Sequence, residues 1–251
     1  MNGFKLGQPG FINIRGTNGT GKSFMMRQFI TEGATLHNIE DLNCAYYDCG
    51  THYVIGSYAN SCGGLDGVKG THHETKNPDG MRSYESGQKA IMRLAKEKTV
   101  FAEGLIFSGT FKGTQEVFDE LKAAGVPMFV FTIDIELDAA IESVMERRVK
   151  KGNVEPMNID NVISVFMRSY VTYNKCVDYG MHAYKGDRDA VKQAIHGVLE
   201  GVKPTLTQEK VDMDKLNAYL KTMKGKEVVP TQAQIDTHLP KPTTNSLFGF
   251  F

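Results

Sequence analysis

Phe11-Ile12-Asn13-Ile14-Arg15-Gly16-Thr17-Asn18-Gly19-Thr20-Gly21-Lys22-Ser23-Phe24-Met25-Met26-Arg27-Gln28-Phe29-Ile30 is the stretch that decides the fold. Residues 11–15 form a short, β-branched, apolar run that predicts a strand. Residues 24–30 carry apolar side chains at helical spacing. Between them, Gly16 to Ser23 fits G-x-x-x-x-G-K-[ST], in which glycines let successive backbone N–H groups turn inward around phosphate oxygens. The N-terminus of the following helix adds partial positive charge. Strand, glycine loop and helix together predict an ATP cradle of Gly16, Thr17, Asn18, Gly19, Thr20, Gly21, Lys22 and Ser23. Lys22 is expected to reach the β- and γ-phosphates, and Ser23 to offer its hydroxyl to Mg²⁺.

Outward from the loop, helical and strand-like runs alternate. A helix over 83–98 leads into the strand Thr99-Val100-Phe101-Ala102-Glu103, continued through Leu105-Ile106-Phe107. A helix over 115–124 feeds a strand over 127–134, and further helices are expected over 137–151, 159–178 and 187–199, with a short strand at 181–184. Alternation of this kind predicts an α/β fold, a three-layer P-loop NTPase sandwich around a parallel sheet. Two β-rich runs, 45–49 and 53–58, read as an added hairpin or two short strands. The methionines and aromatics of 24–29 and 162–173 are expected in the core. From residue 203 prolines multiply, and seven Lys against five acidic residues make 203–251 slightly basic. The division expected is a kinase-like domain over 1–202 and a C-terminal helical and extended appendage over 203–251, ending Phe248-Gly249-Phe250-Phe251.

Composition narrows the function. Lys+Arg and Asp+Glu are both 29, so no global charge steers the chain to nucleic acid or lipid. No run approaches a membrane span and no signal peptide is visible, so a soluble, cytoplasmic protein is expected, with Cys44, Cys49, Cys62 and Cys176 as reduced thiols. Glycine is in excess, 26 in 251 residues. The second cluster, Cys62-Gly63-Gly64-Leu65-Asp66-Gly67-Val68-Lys69-Gly70, opens a long polar loop of the kind that binds or moves. It is the expected acceptor side, with Asp66 either a general base or positioning group, or simply a turn aspartate. Glu103, at the end of its strand, is expected to hold a magnesium-bound water or orient the acceptor. No adjacent Asp-Glu pair closes a strand as in P-loop motors.

In Glu146-Arg147-Arg148-Val149-Lys150-Lys151, the cations complement a helix C-terminus, and Arg147 or Arg148 also has the planar fork that suits phosphate oxygens. His72 and His73, in the polar loop, read as exposed rather than catalytic.

The phosphate loop directly after a strand, Phe101-Ala102-Glu103-Gly104, and a helix ending Glu146-Arg147-Arg148 resemble the nucleoside monophosphate kinase and thymidylate-kinase-like branch of P-loop kinases over residues 9 to 200. Residues 12–23, the Cys62 to Gly67 loop and Phe101 to Leu105 are more narrowly similar to the bacteriophage kinases that phosphorylate 5-hydroxymethyluracil bases within DNA. The resemblance implies ATP as donor, a nucleotide or DNA acceptor, and Lys22, Asp66, Glu103, Arg147 and Arg148 as the machinery. It also implies that the phosphorylated base is an intermediate in thymine hypermodification. The Asp-Arg-Tyr/His acceptor motif of thymidylate kinases is not found. A deoxynucleoside monophosphate kinase and a regulatory P-loop ATPase working through the tail are the alternatives.

Overall fold

The structure, a computed structural model, describes residues 4–58, 83–104 and 111–239. The expectations for Asp66 and its glycine cluster, His72, His73, Cys62, residues 105–107 and the Phe-rich end lie outside these.

Among the described residues a seven-stranded sheet runs in the order β2 (Thr35–Ile39), β3 (Cys44–Asp48), β4 (His52–Ile55), β5 (Thr99–Glu103), β1 (Gly10–Gly16), β6 (Met128–Ile133) and β8 (His182–Gly186). Its parallel part comprises β4, β5, β1, β6 and β8. In β1, β5 and β6 every residue is buried, as both-face coverage requires, which is why these strands read as nearly unbroken apolar runs. At one edge, β3 pairs antiparallel with β4, and β2 pairs antiparallel with β3. The hairpin expected at 45–58 is therefore real, and its second strand is the first of the parallel set. The strand β2 is an addition: four of its five residues are exposed, so it lacks the alternation that reveals a strand.

One face of the sheet carries α2 (Ser83–Leu94), α3 (Phe111–Ala123) and α5 (Asp160–Asp178). The other carries α1 (Lys22–Gln28) and α6 (Arg188–Leu199). Phe129 and Phe131, fully buried two residues apart on β6, stack with ring centroids 6.4 Å apart under α6. Each contributes about 1.5–3 kcal/mol of apolar burial. The helix α6 is capped by Asp187, whose carboxylate accepts from the Ala190 N–H at 2.8 Å. Met25 and Met26 of α1, and Phe29 just after it, face the sheet. Phe24 points the other way and is 58% exposed, which corrects its expected place in the core. On α5, Met167 is likewise exposed. Cys44, Cys49 and Cys176 are free thiols.

The third core cluster joins α4 (Leu137–Lys150) to α5 and to residues beyond 203. The helix α7 (Met213–Met223) buries Leu220 against α4 and α5. The strand β9 (Glu227–Val228) pairs with β7 (Met157–Asn158), and α8 (Gln232–His238), begun by a Thr231–Gln234 capping box, lies along α4. Further anchors come from Asn174, whose amide both donates to the Val211 carbonyl at 2.7 Å and accepts from its N–H at 2.8 Å. No helix among the described residues is long and apolar enough to cross a membrane.

Candidate active site

β1 delivers the chain to the carboxyl edge of the sheet, and Gly16 to Gly21 arches there before α1 begins at Lys22. The loop is held by its own groups. Thr20 Oγ1 donates to the Thr17 carbonyl at 3.1 Å, and Lys22 Nζ lies 2.9 Å from the Gly16 carbonyl, 2.7 Å from the Thr17 carbonyl and 3.3 Å from Thr20 Oγ1. The ammonium thus sits over the loop it is expected to serve. Gly19 and Gly21 both have φ +83°, in the left-handed region that favours glycine. Gly19 has a second reason to lack a side chain. An added Cβ would stand 2.5 Å from Ser143 Cβ on α4 and 3.4 Å from the Ala140 carbonyl. Gly21 lies against Arg188 at the start of α6, where a Cβ would meet Cδ at 3.2 Å.

The loop is therefore flanked by α4 on one side and the first turn of α6 on the other. That contact separates the two candidate arginines. Residues three and four apart share a helix face, so Ala140, Ser143 and Arg147 form one row. Arg147 stands one turn, about 6 Å, beyond the Gly19 contact and is exposed. Arg148 faces elsewhere. Its NH2 donates to Asn153 Oδ1 at 3.0 Å and to the Glu155 carbonyl at 3.3 Å, in the turn where Gly152 ends the helix. Its Nε is buried and makes no hydrogen bond. Arg148 thus ties the end of α4 to the turn that follows it.

Glu103 is the last residue of β5, directly beside β1 in register with Ile14, and 3% exposed. It lies on the same face as Phe101, towards α1. A hydroxyl at Ser23, half-buried in the first turn of α1, and a carboxylate at Glu103 are hard oxygen donors of the type Mg²⁺ takes together with water and phosphate. Among the described residues no group of three or more His, Cys, Asp or Glu converges on a metal position, so no all-protein cage is built there.

Two features at this edge were not anticipated. At the end of β6 the Tyr170 hydroxyl donates to Asp134 Oδ1, while Asp134 Oδ2 lies 3.6 Å from Lys185 Nζ. Burial, then the adjoining carboxylate, pushes the Tyr170 phenol well above its ordinary range. The second is Arg15, which turns beneath the loop into the α3/α5 side and is 4% exposed. Nothing in a single strand sequence distinguishes it from a solvated arginine. The one available signal was its position, at an inward-facing phase two residues after Asn13 and four after Phe11.

No protein-family profile matches the chain. Individual relatives do. The chain is 45% identical, over 253 residues covering 99% of it and 97% of the relative, to the 5-hmdU DNA kinase of Delftia phage PhiW-14. It is 27% identical, over 198 residues covering 75% of it and 96% of the relative, to the 5-hmdU DNA kinase of Pseudomonas phage PaMx11.

Proposed function

The chain belongs to the phage 5-hmdU DNA kinases, and from that premise we propose how its residues carry out phosphoryl transfer. It is an enzyme, a kinase acting on hydroxymethyluracil in phage DNA; 45% identity along nearly the whole chain carries this conclusion. That kinship also sets aside a purely regulatory ATPase. The finer reading is a P-loop NTPase architecture in which Gly16 to Ser23 holds the triphosphate of ATP. The work is done in the host cytoplasm.

The backbone arch from Gly16 to Gly21 presents N–H groups to the phosphates. Lys22 exchanges its loop carbonyls for β- and γ-phosphate oxygens, within the reach that its present contacts define. Arg147, on the α4 row that touches Gly19, supplies positive charge where negative charge builds between donor and acceptor. Arg148 is the weaker candidate, because its guanidinium is engaged in the α4 terminus. Ser23 and Glu103 would hold Mg²⁺, which when bound neutralises charge on the β- and γ-phosphates. The acceptor is the primary hydroxyl of the base. Its oxygen attacks the γ-phosphorus in line, the bond to the β,γ-bridging oxygen breaks, and the hydroxyl proton passes to a carboxylate, Glu103 or Asp66. A base within duplex DNA must first leave the stack, or be met in a single strand.

The test is transfer from γ-labelled ATP to hydroxymethyluracil-containing DNA or to free deoxynucleoside monophosphates. Label is expected in the DNA. Label confined to mononucleotides would replace this reading with the mononucleotide kinase.

A further inference from the structure

Arg15 is the residue immediately before the loop's first glycine, and among the described residues its guanidinium is held by neutral groups. Nε donates to Asn13 Oδ1, and NH2 donates to Thr114 Oγ1 at 2.7 Å. NH1 lies 4.0 Å from Cys176 Sγ. The Asn13 amide is itself locked, because Nδ2 donates to the Ala102 carbonyl at 3.1 Å across to β5. No carboxylate of the described residues forms an ion pair with Arg15. Burial lowers its pKa from the ordinary value, opposed by Cys176, yet an arginine stays protonated in a protein. Thr114 lies on α3 and Cys176 on α5, so the side chain is turned into the face of the sheet that those helices cover.

A buried cation without a counter-charge is costly, and an apolar side chain of similar volume is commonly neutral or stabilising in its place. Stability therefore does not account for the charge. Its neighbour does: the Cα step of 3.8 Å to Gly16, added to the side chain's reach of about 7 Å, keeps the guanidinium within about 11 Å of the Cα of Gly16, where the loop begins. The intervening medium is packed protein, which screens far less than salt water.

We propose that Arg15 is a positioning residue that sets the electrostatic field of the phosphate loop from below, its uncompensated charge being balanced by the phosphates of the bound nucleotide. The inference rests on the reading that Gly16 to Ser23 holds ATP. Asn13 and Thr114 fix where the charge sits, and β1 ties it rigidly to the loop. The contribution is then graded by ligand charge, greatest for ATP and least for AMP. At an effective dielectric of about 20, one unit of phosphate charge at about 10 Å would be worth roughly tenfold in affinity.

The experiment is calorimetric binding of ATP, ADP and AMP to the full chain, alongside thermal unfolding without nucleotide, for wild type, Arg15→Met, Arg15→Gln and Arg15→Lys. The neutral variants are expected to weaken ATP about tenfold, ADP less and AMP least, with an unfolding midpoint unchanged or raised. Arg15→Lys should keep most of the ATP affinity. Equal ATP affinity in wild type and the neutral variants overturns the proposal, as does a uniform loss for all three nucleotides accompanied by a lower midpoint. Failure of both neutral variants to fold, while Arg15→Lys folds, assigns the charge to stability and overturns it too. No ATP binding by wild type overturns the nucleotide reading and this inference together.

Discussion

Gly19→Ala is the substitution whose consequence the structure specifies most fully. Two independent penalties meet at one methyl group. At φ +83° a side chain costs about 1–2 kcal/mol of backbone strain. The new Cβ would also stand 2.5 Å from Ser143 Cβ, inside contact distance, and forcing extra volume into a packed contact costs about 1–3 kcal/mol. The sum is about 2–5 kcal/mol, taken either as lost stability or as a displacement of the loop from α4 that raises KM for ATP. Removing the opposing atom with Ser143→Gly relieves only the second penalty. That variant alone costs about 0.5 kcal/mol of helix propensity. Urea unfolding and ATP kinetics on the four-member cycle therefore should show a favourable coupling of about 1–3 kcal/mol between positions 19 and 143. Strict additivity in both measurements would refute the contact, and with it the argument that α4 positions Arg147.

Lys22→Ala should lower phosphoryl transfer by roughly a hundredfold or more, since one charged donor at a developing charge is worth that much. The assay is labelled-phosphate incorporation into DNA. Arg147→Ala should cost transfer with little change in unfolding midpoint, and Arg148→Ala should do the reverse, losing about 1 kcal/mol with its turn contacts. Leu220→Ala should destabilise the chain by about 2–4 kcal/mol in urea unfolding, because the side chain is 3% exposed between α4, α5 and α7. His182, stacked on Phe129, has its pKa lowered by burial and then by nearby positive charge. Its unfolded form binds the proton more readily, so stability present above about pH 6.5 declines as pH falls below it. His182→Gln should flatten that decline between pH 8 and 5.5.

What could be read ahead of the structure was local and repetitive. The glycine loop is legible because its pattern is complete within eight residues, and the buried strands β1, β5 and β6 announce themselves because both faces are covered. Features that depend on distant partners left no such mark. β2 is an exposed edge, so no apolar phase reveals it. Phe24 lies in an apolar run, yet the short helix has room to bury only the face of Met25, Met26 and Phe29. The distinction between Arg147 and Arg148 is a matter of helix phase against Gly19, a residue more than 120 positions away. Arg15 hides for the same reason: beyond its near neighbour Asn13, its partners Thr114 and Cys176 come from α3 and α5, far along the chain.

The two rims of the sheet are finished differently. Along β8, the outward Lys185 N–H donates to the Thr207 carbonyl at 3.1 Å, and the Ala183 carbonyl accepts from Gln208 Nε2 at 3.3 Å. Along β2 the described residues place no strand outside. A rim whose backbone groups are already taken in this way offers them to no further strand at those positions, so pairing of another copy along β8 is blocked there. Opening the 206–208 segment would return the Lys185 N–H and the Ala183 carbonyl to the surface and leave β8 a bare pairing edge.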